Sequence, residues 1–379
     1  MHFAQIVGLE EIKKTLIQSV QRNHVAHAQL FLGREGSANL ALAIAYATFL
    51  NCENKTPESE DACGTCPSCY KFNRLIHPDL HFIFPTATTK QITKRDEAIS
   101  QAFMKEWREY INKHPYGSLK QWATAFGAEG KQCIIPVEDG RNIIRSLVLK
   151  AFEAEYKTLI IWLPELMNIN AANAILKILE EPPEKTVFLL VANSAENMLA
   201  TIQSRTQLVL IRPFHDEEIK AHLIKDLGAN NERATQVAML ADGSMNEAYR
   251  LLHDTQDFSQ DAFRDWMRIC FRFDISNMIK EADKFNDLEK EAQKSLLQYG
   301  LNMLRESFVY KFGGENLIRA DKQVLEFIKN FSKVIYEANA EKLYEKLTEA
   351  YFHLERNANA RILFLDLSLQ IANIFKQKA

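Results

Sequence analysis

The chain has 379 residues, 47% hydrophobic and 25% charged, with a formal net charge of −3. That length suits two or three domains at about 100–200 residues each, and the near-balanced charge excludes a strong global pull on nucleic acid, leaving only a local basic face. No basic-then-apolar leader and no run of about 18 apolar residues is seen, which predicts a cytoplasmic protein without a membrane span.

Residues 3–8 form an apolar stretch ending at Gly8, after which Leu9, Ile12, Leu16, Ile17 and Val20 recur with helical spacing. Gln29 to Leu32 predicts a strand that runs through Gly33 into an apolar helix from about Leu40 to Leu50. This has the form of a phosphate-binding loop. A working loop reads G-x-x-x-x-G-K-[ST], with its Lys on the phosphates and its hydroxyl on magnesium. Gly33 fits the first position and Gly36 lies inside the loop, but Ala38 replaces the second Gly, Asn39 the Lys and Leu40 the Ser/Thr. Leu40 offers no metal ligand, Asn39 no charge, and Glu35 adds a negative charge where phosphates would sit.

Four of the six cysteines lie between residues 52 and 69. Cys52, Cys63, Cys66 and Cys69 are spaced C-x10-C-x2-C-x2-C in a polar, Pro-containing segment, 51–70. Two-residue spacers let successive thiolates face one tetrahedral ion, so this pattern predicts a structural Zn2+ site with no open position. His77 and His81 follow closely, but four thiols already complete the shell. Cys133 and Cys270 sit alone in apolar contexts and read as buried thiols.

After His77 to Pro85, which reads as a short turn into a strand, residues 86–133 read as a helical insertion. Lys90, Lys94 and Arg95 are expected to lead a polar helix, and Trp107, Tyr110, Trp122 and Phe126 to surround a turn at 113–117. Basic residues among aromatics match single-strand binding surfaces, but an excursion packing its own aromatics is the simpler reading. A further apolar run begins at Ile134. Then comes a helix over 139–154 with Ile143, Ile144, Leu147, Val148 and Phe152 on one face. Lys157 to Leu163 predicts a buried strand, followed by Pro164 and Glu165 where a nucleotide hydrolase would carry an acidic pair. A helix over 170–181 ends at Pro182–Pro183, a strand covers 186–192, and a short helix with Ser204 and Arg205 leads to a last strand near 208. On residues alone, Arg205 reads as a surface ion-pair former. Runs near 30, 80, 134, 160, 188 and 208, with helices between most of them, predict a parallel, helix-covered sheet. From Asp216 onward only helices are predicted.

The stretch Asn170-Ala-Ala-Asn-Ala-Ile-Leu-Lys-Ile-Leu-Glu-Glu-Pro-Pro183, the stretch Thr201-Ile-Gln-Ser-Arg205, His27 to Gly33 and the four-Cys insertion together resemble the bacterial DNA polymerase III clamp-loader family of the AAA+ superfamily. The resemblance implies an α/β, AAA+ P-loop NTPase-like parallel sheet with a zinc-binding insertion. Its parts would be a core at 1–212, a small helical lid at 213–255 and an all-α collar at 256–379. Asn193 and Ser194 fall where a first sensor would lie. Gly243-Ser244-Met245-Asn246 resembles the second-sensor stretch, with Asn246 near the position of an Arg in active subunits. The departures at Ala38, Asn39, Leu40, Leu163, Pro164 and Asn246 resemble the family's non-hydrolysing, delta-prime type of subunit, with no ATP in its own site. Arg205, with Ser204, matches the arginine given in trans to a neighbour's nucleotide. The implied partners are the ATPase (gamma/tau) subunits and the delta subunit in a hetero-pentamer, with primer-template DNA and the sliding clamp reached through the complex, and no membrane. Such a chain would be part of the polymerase III holoenzyme without its own ATPase. The alternatives are an active gamma/tau-like ATPase with an unusual loop, or a zinc-knuckle nucleic-acid-binding protein.

Overall fold

The computed structural model describes residues 1–148, 151–253, 258–314, 322–356 and 358–376. They separate into two compact units, one of residues 1–234 with 241–250, the other of residues 235–240 with 251–379. The segment expected as a separate lid, 213–255, is thus divided between them, mostly falling with the first.

The first unit is built on five parallel strands, β1 (Ala28–Leu32), β2 (Leu80–Ile83), β3 (Lys157–Trp162), β4 (Thr186–Ala192) and β5 (Gln207–Leu210), in the order β2-β3-β4-β1-β5. Every residue of β3 and β4 is buried, which is why these runs read as continuously apolar rather than alternating. The helices of the unit, in chain order, are α1 (Glu10–Gln21), α2 (Asn39–Leu50), α3 (Pro67–Asn73), α4 (Met104–Lys113), α5 (Leu119–Ala125), α6 (Val137–Val148), α7 (Ile169–Glu180), α8 (Ala200–Gln203) and α9 (Asp216–Leu227). Two more, α10 (Asn231–Ala241) and α11 (Met245–His253), are divided between the two units. All twelve residues of α2 are buried; it is the helix the loop after β1 feeds. On one face of the sheet, Leu30, Leu159, Ile161, Phe188 and Leu190 pack with Ile175 and Leu179 of α7. This is the parallel, helix-covered α/β sheet expected from the sequence.

Three local expectations are corrected. Ile134 begins no strand: it makes an isolated antiparallel bridge to Thr86, and Ile135 a parallel one to Met167, because Pro136 has no N–H with which to continue a ladder. Residues 90–95 form no helix. The Thr89 hydroxyl accepts from the N–H groups of Gln91 and Ile92, and this local turn competes with helix formation. The helix expected over 139–154 is α6, ending at Val148. The Asp79 carboxylate instead takes the N–H groups of Phe152, Glu153 and Ala154 at 2.7–2.9 Å, leaving Phe152 82% exposed. Leu147 is buried as expected; the side chains of Ile143, Ile144 and Val148 lie outside the described residues.

The aromatics of the insertion pack internally and onto the sheet. Trp107 stacks on Phe84 at 4.2 Å and meets Trp122 and Trp162 at 5.0 and 5.1 Å. Trp122 Nε1 donates to the Pro85 carbonyl at 2.8 Å.

The second unit is helical among the described residues: α12 (Phe258–Arg272), α13 (Ile275–Asp287), α14 (Lys290–Gly313), α15 (Lys322–Phe331), α16 (Glu337–Glu355) and α17 (Ala360–Lys376). Its own core gathers Phe263, Trp266, Phe285, Leu343 and Phe364, with Cys270 buried among them.

Candidate functional site

Three chain ends converge beyond the carboxyl ends of the strands: Gly33 after β1, Glu165 after β3 and Asn193 after β4. In open parallel sheets this crevice is where ligands bind. Here the protein's own side chains make hydrogen bonds across the strand ends. The Asn39 amide donates to the Gly33 and Ala192 carbonyls, the latter at 3.2 Å, and Asn39, Ala38 and Leu40 are all buried. The side chain in the lysine position therefore joins β1 to β4 instead of reaching outward. Glu165 Oε1 accepts from the Asn193 N–H at 2.8 Å; burial pushes its carboxyl above the usual range, against the pull of that N–H.

The 243–246 stretch lies on this loop. Met245 N–H donates to the Gly36 carbonyl at 2.9 Å, and Arg34 pairs with Asp242 at 3.2 Å. Gly36 has φ +82°, and a Cβ there would stand 1.9 Å from the Ser244 hydroxyl. The position thus requires glycine twice over, by backbone and by space. Asn246 approaches the same point through its Cβ.

The four cysteines converge as their spacing predicts: all four sulfurs lie within 4.8 Å of one another. A tetrahedral thiolate site with metal–sulfur bonds of about 2.3 Å needs sulfurs about 3.8 Å apart, and Cys63 and Cys69 stand at 4.0 Å. The knuckle aims N–H groups at sulfur. Cys63 N donates to Cys52 Sγ, Cys66 N to Cys63 Sγ and Cys69 N to Cys66 Sγ, each at 3.3 Å. Burial opposes ionisation of Cys63, but the Thr65 and Cys66 N–H groups outweigh it and bring the thiol down to about 6, whereas burial pushes Cys69 up. This donor set fits a structural tetrahedral ion. Among the described residues His77 and His81 are not part of it. His77 Nδ1 accepts from the Asp79 N–H, and burial holds both histidines below their usual range.

Arg205 lies at the opposite end of the sheet. It precedes β5, whose Gln207 pairs with Gln29 near the start of β1, whereas Gly33 follows β1's last residue. Four strand residues, about 13 Å, separate the two ends. Its guanidinium donates through Nε to Glu180 Oε1 at 2.7 Å, through Nη2 to the same oxygen, and through Nη1 to the Thr201 carbonyl at 2.7 Å. Ser204 is near: its hydroxyl donates to the Thr201 carbonyl at 3.2 Å and accepts a long contact from Nη1. Glu180 as the partner was missed from sequence; no spacing rule links two residues 25 apart on different elements. Beside Arg205, edge strand β5 exposes Leu208 (56%) and Leu210 (67%).

Among the described residues no helix is long and apolar enough to cross a membrane. The family model described as "DNA polymerase III, delta subunit" matches residues 8–215. DNA polymerase III subunit tau of Bacillus subtilis is 24% identical over 399 residues, covering 100% of this chain and 62% of that relative. DNA polymerase III subunit delta' of the same organism is 25% identical over 214 residues, covering 56% of this chain and 50% of the relative. The chain thus spans under two thirds of the length of these relatives. A solved DNA polymerase III gamma subunit-related protein of Thermotoga maritima aligns with 96% of this chain and 99% of its own, at TM-score 0.39 and 15% identity. With more than half of its residues matched by the family model, the chain belongs to the DNA polymerase III clamp-loader family.

Proposed function

We propose that the chain is a non-hydrolysing, delta-prime-type subunit of a clamp loader and acts on a neighbour's nucleotide. Tau and delta' relatives match at 24% and 25% identity, so the choice between the types rests on residues. One observation carries it: Asn39, in the place of the phosphate-binding lysine, is buried and spends its amide on two backbone carbonyls. Leu40, in the place of the magnesium hydroxyl, is buried as well. The loop turns β1 into α2 without the lysine that would reach the β/γ-phosphates or the hydroxyl that would hold magnesium.

Arg205 carries the chemistry. Sitting a strand's length from its own loop, it serves a nucleotide bound to another subunit. Its permanent charge and planar N–H groups suit the charge that builds on the γ-phosphoryl oxygens during transfer. The exposed apolar side chains of β5 next to it offer that neighbour a surface. The partners are the ATPase (gamma/tau) and delta subunits, with the sliding clamp and primer-template DNA reached through the assembly. Cys52, Cys63, Cys66 and Cys69 hold a structural zinc ion that ties the 51–70 segment to the core; the ion supplies no catalytic step.

The test has two arms. The isolated chain titrated with ATP and magnesium should show no binding by calorimetry; saturable binding would overturn the non-hydrolysing reading. In a clamp loader reconstituted from its own partners, Arg205→Ala should lower DNA-stimulated ATP hydrolysis about tenfold or more with the subunit's own folding intact. Unchanged hydrolysis would refute the trans role.

A further inference from the structure

We propose that Glu180 is the positioning residue for Arg205: it holds the guanidinium side-on so that the remaining N–H groups face the neighbouring subunit's phosphate. The inference rests on the reading of Arg205 as the trans arginine and assigns a role to the last residue of α7.

A guanidinium has five N–H donors in a rigid plane. Nε–H and one Nη2–H go to a single Glu180 oxygen, and one Nη1–H goes to the Thr201 carbonyl in α8. The second Nη1–H makes only a 3.4 Å contact with the Ser204 hydroxyl, which leaves it and the second Nη2–H for an incoming acceptor. Three anchors on two helices and the adjoining Ser204 thus fix the plane of a side chain that is otherwise long and flexible. The pair is reachable from outside, with the Arg205 and Glu180 side chains 32% and 47% exposed. An ion pair this exposed adds little to stability; what it supplies is geometry.

The position of Glu180 supports a role beyond the helix itself. It closes α7, with Glu181 next and Pro182 and Pro183 behind. A helix carboxyl end carries partial negative charge and favours cations, so two successive carboxylates there work against the local electrostatics. A local conflict of that kind points to function when a compensating partner is present. Arg205 is that partner for Glu180. Pre-orienting a donor before its substrate arrives removes reorganisation from the reacting step.

The experiment uses full-length chain reconstituted with its ATPase and delta partners, reading steady-state ATP hydrolysis with clamp and primed DNA. Glu180→Gln should lower kcat about tenfold with KM for ATP unchanged, since the neighbour's own residues bind the nucleotide. Glu181→Gln removes the same charge one residue on and should leave kcat unchanged, separating position from charge. Glu180→Gln with Arg205→Ala should be no slower than Arg205→Ala alone, because the two act as one unit. Far-ultraviolet circular dichroism and assembly by gel filtration check folding of each variant; should Glu180→Gln misfold, Glu180→Ala carries the same expectations. If Arg205→Ala lowers kcat while the Glu180 variant leaves it unchanged or raises it, or if the two effects add, the positioning role is overturned and the trans arginine stands. If Arg205→Ala itself has no effect, both fall.

Discussion

Asn39 shows how one substitution converts a ligand-facing position into a structural one. A lysine there must stay solvated or find phosphate, whereas an amide of two-carbon reach can satisfy the carbonyls at the ends of β1 and β4. Removing it would leave the buried Gly33 carbonyl without this donor, at a cost of about 1–3 kcal/mol, whereas the Ala192 carbonyl keeps the Gly33 N–H at 3.3 Å. Gly36 is the complementary case. Its φ of +82° and the Ser244 hydroxyl 1.9 Å from an added Cβ mean that Gly36→Ala strains the backbone and displaces the start of α11. We expect a loss of about 1–3 kcal/mol, read as a lower denaturation midpoint in urea. Gly36→Ala combined with Ser244→Gly should recover part of it, since the second change removes the steric component and leaves only the backbone one. A Gly36→Ala midpoint equal to that of the unaltered chain would contradict this packing.

At the scale of elements, the cysteine knuckle is a short helix start bent around four sulfurs. Cys66 caps α3, its sulfur accepting the Cys69 N–H, and Pro67 opens the first turn where a missing N–H costs nothing. Ser68 ties the helix to the end of α2 through the Asn51 carbonyl at 2.7 Å. Asp61 in the same module accepts the N–H groups of Phe3 and Ala4 at 3.1 and 2.8 Å, so order in the knuckle extends to the amino-terminal turn. Purified chain should carry close to one zinc ion per molecule by elemental analysis. Cys66→Ser should lose it and melt at least about 2–4 °C lower, while Cys133→Ser, outside the cluster, should retain it. Equal metal content in both variants would remove the zinc assignment. The aromatic insertion behaves in the opposite way. Its Trp107 and Trp122 are fully buried, Trp107 stacked on Phe84 and tilted against Trp162, Trp122 edge-on to Phe84 and Trp107, and neither is left free to stack on a base.

At the scale of the whole molecule, two units with separate cores divide the work. The first holds the sheet, the knuckle and Arg205; the second is a helical packing unit around Trp266, whose Nε1 donates to the Ser368 hydroxyl at 2.8 Å and whose ring stacks on Phe364 at 4.5 Å. Because each core is contiguous within its own unit, unfolding should resolve into two calorimetric transitions. Trp266→Ala, at about 3–5 kcal/mol, should lower only one of them. A single transition moved as a whole by that variant would show that the units unfold together.

The amino-acid sequence by itself determined the strands, the helices and the losses. Buried parallel strands demand unbroken apolar runs, metal-spaced cysteines stand out in a polar segment, and a missing lysine or hydroxyl is visible at its position. It misjudged 134–137, 90–95 and 151–154, where a proline, a threonine turn and the distant Asp79 carboxylate decide the backbone. Only the tertiary structure decided that Asn39 turns inward, that the 243–246 stretch rests on Gly36, that Glu180 grips Arg205, and that Arg205 stands at the far end of the sheet from its own loop. The reason is physical: secondary structure follows from local periodicity and stereochemistry, whereas which groups face one another across a sheet follows from strand order and register, and these are settled by contacts between residues far apart in the chain.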